Sequence, residues 1–532
     1  SLRPTLHLFA PPKHKSPHIA DRACLSRCPR LIQHLPVGPL SLCGPGATIT
    51  VMPRMLPMSS KLGFGVGQVG EGITGVVFGT FLLFYYNQVV GISAALTGVA
   101  LAISLACDAI SDPLAGSISD RFRSRWGRRH PFMAGSAIPL ALCIVALFNP
   151  PADMPDLFYF GWLVVFAVLA RLFLTLYHVP HMALGAEMAH DYTDRTRVFS
   201  YSQLFGTLGG AGFSFAMLTL FFPTTADVSH GMLNAAGYPS FAAVAAVGIV
   251  ISIGLCVWGT KREIPHLPTW NVEYERLSPQ RLWREIVTAL GSHSYRMLIF
   301  GLLGGQLILG IEGTFMIYIY VHFWELSTEA MRWLSPMILL GVPISAAITP
   351  YLTQRMEKRT ILILFSTWIV LNTNILILLR LFTDILPQNG DPALFYVLLA
   401  CSFVTGLVAP AIMITFNSMF ADIADELELR TGARQEGIIF SARSFGFKAA
   451  AALATILGGI VLDLVGFPKG AEAGQVSADI LFRLGIVAAP ATIIIGLANL
   501  LFFAAYRLNR AKLAEIKAEL NKRRAEAAAA AS

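Results

Sequence analysis

The sequence predicts an all-α membrane protein with twelve transmembrane helices in two six-helix halves. Three observations carry that expectation. Of the 532 residues 55% are hydrophobic and 14% are charged, with a mean hydropathy of +0.61; soluble domains carry about 25% charged residues. Apolar runs long enough to cross about 30 Å of hydrocarbon recur along the chain. Basic residues gather in every second connection between those runs. A soluble enzyme is excluded on composition. The net charge of +8 reads as a topology signal, so no nucleic-acid partner is expected.

The twelve runs occupy residues 62–90, 94–116, 132–150, 157–180, 199–222, 239–259, 297–323, 330–352, 360–381, 392–419, 437–464 and 481–506. Residues 1–57 lack such a run, are rich in Pro, His and Arg, and read as a disordered extension with no assigned function. Residues 58–260 form the first half and 296–507 the second, joined by a cytoplasmic linker over 261–295. Residues 508–532 read as a basic, Ala-rich helix at the cytoplasmic face. Basic residues stand after runs two, four, six, eight, ten and twelve, whereas PPADMPD and DILPQNGDP have none, which puts both termini in the cytoplasm. The seven cysteines show no zinc or disulfide spacing, and no HExxH, GxSxG or Walker lysine marks a catalytic centre.

The segment CDAISDPLAGSISDRFRSRWGRRHP, residues 107–131, is the most informative. Asp108 and Asp112 lie four apart and share one helix face. Ionised acids in hydrocarbon need a partner, an ion or water, and two on one face repel. A monovalent cation or a shared proton relieves that repulsion. Ser111 and, from run four, Thr175 offer further oxygens, the ligand type of Na+. The alternative is a structural anchor, since Pro113 follows Asp112 at the edge of the run. Lys448 reads as the third intramembrane charge and needs a counter-charge, for which the two acids are the candidates. His178, ahead of Pro180, reads equally as a proton carrier or a neutral hydrogen-bonding group. Glu187 begins the next connection and is expected to pair with an arginine there.

These segments, with KLGFGVGQVGEGITG, FYYNQVVGIS, VPHMALGAEMAHDYTDRTR and ADIADELELRTGARQEG, resemble a known family in order and spacing. It is the glycoside–pentoside–hexuronide:cation symporters, the melibiose-permease-like branch of the major facilitator superfamily. The resemblance implies that fold, secondary active symport by alternating access, no enzymatic activity and no cofactor beyond a coupling ion, Na+ or H+. It implies a small organic solute and a monovalent cation as ligands, a monomer acting in the lipid bilayer, and a bacterial inner membrane as location. Asp108, Ser111, Asp112 and Thr175 match the cation-coupling positions, and Asp108 and Asp112 would hold Na+. Lys448 matches the lysine linking the halves, with Ser444 one turn earlier in the same network. Asp120, Arg121, Arg125, Arg128 and Arg129, with Glu187, match a cytoplasmic gate.

The sugar-holding positions depart from the pattern. A helix-one acid falls on Gly72, with Glu71 just before it. A helix-four acid falls on His178, a stacking tryptophan on Met182 and a helix-five arginine on Gln203. The sugar or glycoside expectation therefore stands beside another. The sequence HVP at His178 also resembles the sodium-dependent lysolipid symporters of the same clan. A non-transporting receptor or scaffold is a third reading, opposed by the intramembrane acids, which destabilise a helix that has no ion to hold.

Overall fold

The computed structural model describes residues 56–189, 192–224, 230–267, 287, 290–432, 436–472 and 474–531. The extension over 1–55, most of the linker and the arginine at 434 lie outside the described residues. Among the described residues, twelve helices are long and apolar enough to span a membrane. They are α1 Met58–Val90, α2 Ala94–Arg121, α3 His130–Leu147, α4 Asp156–Met188, α5 Tyr192–Leu220 and α6 Gly237–His266 in the first half. The second half has α7 His293–Phe323, α8 Thr328–Arg355, α9 Lys358–Phe382, α10 Pro392–Thr431, α11 Glu436–Val465 and α12 Ala478–Ala504. A thirteenth helix, α13, covers Arg510–Ala531.

The helices outrun the apolar segments at the basic end. Helix α4 continues to Met188 and α10 to Thr431, because polar residues leaving the hydrocarbon still satisfy their backbone within the helix. Helix α6 ends in a tighter turn over Lys261–His266, so the linker starts later than residue 261. Side chains such as Leu142, Ile251, Leu464 and Leu501 are exposed on the bundle's outside, as lipid-facing residues are. Within the halves α1 packs on α5 and α6, and α8 on α10; α2 crosses to α11 of the other half.

The two ends of the bundle differ. At the end carrying Ser93, bonds between the halves concentrate. Asp463 at the end of α11 caps α2, accepting from the Ser93 hydroxyl and the amides of Ala94 and Ala95 at 3.1 Å. Tyr318 donates to Asn87 at 2.9 Å, and Thr224 to Glu329 at 2.9 Å. A cluster of buried rings, Phe81, Phe84, Tyr85, Phe148, Tyr238 and Phe241, backs this seal. His230, in the connection before α6, is buried beside it, and burial pushes its imidazole down to about 4. The unfolded imidazole takes a proton near 6.5, so the folded state loses stability as pH falls from about 6.5 to about 4. His230→Gln is expected to flatten that dependence in thermal unfolding curves recorded against pH.

At the opposite end, α13 docks on the second half. Ile516 and Leu520 are buried, and Arg523 donates to the Leu429 carbonyl at the end of α10, 3.0 Å away. Arg510 donates to the Met356 carbonyl just past α8. The basic tail thus caps helix C-termini, where cations are favoured.

Candidate functional site

Helix α4 supplies the centre of the site. Thr175 sits five residues, about one and a half turns, before Pro180 and points at α2. Its Oγ1 lies 2.7 Å from Asp108 Oδ1 and 3.0 Å from Asp112 Oδ1, with Ser111 Oγ at 3.3 Å. One hydroxyl carries one proton, so it satisfies only one of the two carboxylates at a time. The positive charge comes from the other half. Lys448 Nζ on α11 is 2.9 Å from Asp108 Oδ2 and also bonds Asp112 Oδ2. The four expected coupling residues therefore meet, and the lysine joins them across the halves. The ammonium stands between the acids, where it offsets their mutual repulsion.

Beside this cluster a cavity of about 490 Å³ lies between the halves, within the size range of small-solute sites. Helices α1, α2 and α4 wall it on one side, α7 and α11 on the other. Its polar groups are Glu71, Thr74, Thr80, Arg171, Thr314 and Thr455; Phe78, Leu83, Phe84, Leu101, Leu174 and Ile317 supply apolar wall. Helix α1 widens to i→i+5 hydrogen bonding over Val77–Phe81, beside the cavity, as helices often do at functional sites. A Cβ added at Gly75 or Gly79 would meet nothing within 4 Å, so these glycines hold the space open. Gly79→Leu is expected to cut solute binding by at least about tenfold by filling that space. Cation binding, measured separately, should survive; unchanged solute affinity would place the solute elsewhere.

Several expected site residues are elsewhere. Gly72 is a crossing point: a Cβ there would lie 2.3 Å from the Gly206 carbonyl oxygen on α5. The neighbouring Glu71 is the acid that reaches the cavity. It is held by His178 Nδ1 at 2.8 Å and Gln68 Nε2 at 2.5 Å. So His178 belongs with Glu71. Met182 is 37% exposed and does not line the cavity, because it lies past Pro180 on another face of α4. Gln203 is exposed and bonds Thr207 within its own helix. Ser444 is exposed and also lies off the cavity wall. Two intramembrane charges were missed: Arg171, on the face of α4 shared with Thr175 and His178, and Glu312 on α7, which accepts from Asn374 at 2.7 Å. Each is a single charge in a long apolar run, which is itself the signal for an intramembrane functional residue.

The basic cluster is selective. Arg129 pairs with Asp120, with Glu187 at 2.7 Å and with Ser119 at 2.7 Å; Arg128 reaches Glu187 at 2.9 Å. Glu187 lies in the last turn of α4, one turn inside the expected connection. All of these groups belong to the first half, so they brace α2, α3 and α4 against one another. Arg121 and Arg125 are exposed and outside the cluster: Arg121 ends α2, and Arg125 only opens the turn that brings Arg129 back over the helix ends. The second half repeats the device: Lys358 at the start of α9 pairs with Asp422 on α10.

A family model for MFS/sugar transport proteins matches residues 63–510. The chain belongs to this family. It is a multi-pass membrane protein with the major facilitator fold, a secondary transporter of the symporter kind and no enzyme. It is 26% identical to the inner membrane symporter YicJ of Escherichia coli, over 80% of this chain and 87% of that one. It is 22% identical to the isoprimeverose transporter of Lactiplantibacillus pentosus, over 78% and 82%. It is 23% identical to the sodium-dependent lysophosphatidylcholine symporter 1-A of Danio rerio, over 86% and 87%. Among solved structures, a D-xylose–proton symporter aligns at a TM-score of 0.57 and 13% identity, over 84% of this chain and 95% of that one, which bears on the fold alone.

Thr175→Val removes an oxygen that faces both acids at once. It is expected to weaken coupling-cation affinity about tenfold, the scale of one charge-assisted bond. A cation titration of solute binding checks it, with affinity at saturating cation changing by less than about twofold.

Proposed function

We propose that the chain carries a sugar, glycoside or related organic solute together with a monovalent cation, by alternating access to the cavity between its halves. The observation that carries this reading is the placement of one oxygen cluster, Asp108, Asp112, Thr175 and Ser111, beside that cavity and bonded to Lys448 of the opposite half. A cation arriving at the acids competes with the ammonium. It thereby changes a bond between the halves, which is what coupling requires. The oxygen ligands suit Na+; a proton needs only one acid, and H+ remains the rival coupling ion.

In this reading the end sealed by Ser93 and Asp463 faces outward, both termini lie in the cytoplasm, and the protein works as a monomer in a bacterial inner membrane. Residues 58–260 and 296–507 move as the two halves, with the Asp120–Arg129–Glu187 cluster keeping the first half rigid. The mainly aliphatic and aromatic wall, together with the likeness to a lysophosphatidylcholine symporter, favours an amphipathic solute as the second reading. Uptake of a panel of glycosides and lysolipids into proteoliposomes, with Na+ and pH gradients imposed separately, tests both. No gradient-dependent uptake of any member would count against the proposal.

A further inference from the structure

Among the described residues, Arg171 is a charge on the cavity wall with no partner of opposite sign at contact distance. It lies near the middle of α4, about 22 Å along the axis from Asp156. Its guanidinium stacks on Phe78, with Cζ 4.5 Å from the ring centre, and its Nε is buried without a hydrogen-bond partner. Glu71, on the same side of the cavity, gives its Oε2 to His178 and Gln68, and its Oε1 is buried without a hydrogen-bond partner, so it makes no bond to Arg171. Asp108 and Asp112 act on Arg171 electrostatically, but Lys448 holds their outer oxygens. A partly buried guanidinium whose Nε–H is left unsatisfied is costly, and a planar anion that accepts two parallel N–H bonds relieves the cost. Phe78, which lines the same cavity, supports the guanidinium from one side by a cation–π contact.

We infer that Arg171 receives an anionic group, a carboxylate or a phosphate, on the carried solute, and that a cation at Asp108 and Asp112 frees it for that role. The inference rests on the transport reading and narrows its substrate class. It follows from the charges of the central cluster. Asp108, Asp112, Lys448 and Arg171 sum to zero with the site empty. A monovalent cation between the acids leaves one positive charge uncompensated in a low-dielectric space, and an anionic solute restores neutrality. Cation and anion therefore bind better together than either alone, which is a coupling free energy between two sites. The Glu71–His178 pair stands apart and is free to meet the polar, uncharged part of the solute.

The test is equilibrium binding to the purified full-length protein, using two matched pairs of probes. One pair is methyl glucuronide and methyl glucoside; the other is a lysophosphatidic acid and the corresponding monoacylglycerol. The first pair presents a carboxylate on a sugar, the second a phosphate on an amphiphile. In at least one pair the anionic member is expected to bind at least about tenfold tighter than its neutral twin, with the coupling cation strengthening it by a similar factor. Arg171→Gln should bring the twins within about twofold of each other while cation binding persists. Arg171→Lys should retain part of the preference, because a point charge replaces the fork. If Arg171→Gln does not fold, the lysine variant and competition by inorganic phosphate on the unmodified protein carry the test. Equal binding of the twins in both pairs, or binding of neither, overturns the inference. Gradient-driven uptake of a neutral solute would leave the transport reading standing while this inference fell.

Discussion

Lys448→Ala is expected to abolish accumulation of solute against a gradient and to move the pH profile of the residual transport to more alkaline values. The ammonium bonds both Asp108 and Asp112 from the opposite half. Its removal leaves two carboxylates on one face with only a single hydroxyl to share. Breaking this partly buried ion pair from one side leaves charge uncompensated in a low-dielectric setting, and a loss of about a hundredfold is expected. Protons then compete with the coupling cation for the pair, so transport requires a higher pH than in the parent. The bond also joins α11 to α2, so exchange between conformations changes too. Lys448→Arg keeps the charge but sets a planar fork where a compact ammonium fits, and is expected to rescue binding of the halves without restoring coupling. Transport against pH in both variants, at matched protein amounts, is the measurement. An unchanged profile and rate in Lys448→Ala would mean that the lysine merely fills space.

Asp108→Asn and Asp112→Asn are each expected to lower gradient-driven accumulation by about a hundredfold or more, since a charge–cation contact is replaced by a neutral amide. Counterflow, which needs no net driving force, should survive better than accumulation. The two variants should differ in degree. Asp108 is buried and bonded to Thr175 and Lys448 together, whereas Asp112 is partly exposed and sits closer to the end of the apolar segment. Asp108→Asn therefore strands more neighbouring groups and should lower thermal stability as well. Equal, parent-like accumulation in both variants would remove the coupling role from the pair.

The acid pair was legible in the sequence because two charges spaced by one helical turn cannot be dismissed as noise in an apolar run. Lys448 was legible for the same reason of cost. Ser111 and Thr175 were read as further oxygens near the acids and matched by the resemblance, and their oxygens converge on the acids. The cavity side was read less well. Positions carried over on helices α1, α4 and α5 assumed an unbroken helical register. The glycine contact of Gly72 with Gly206 and the proline at residue 180 set which neighbours face the cavity. Arg171 and Glu71 fill the space where Gly72, Met182 and Gln203 were expected. Arg121 and Arg125 could not be told from Arg128 and Arg129 by charge, since the turn that folds only the latter pair back onto α2 and α4 is a tertiary feature.

The account stands on Asp108, Asp112 and Lys448 forming the coupling centre of a cation-driven carrier. The most direct measurement is solute uptake into proteoliposomes holding the unmodified protein or Asp112→Asn, with a Na+ gradient and a pH gradient imposed one at a time. The account predicts concentrative uptake under one of the two gradients by the unmodified protein, and only equilibration by Asp112→Asn. Concentrative uptake of the same size by both proteins would contradict it.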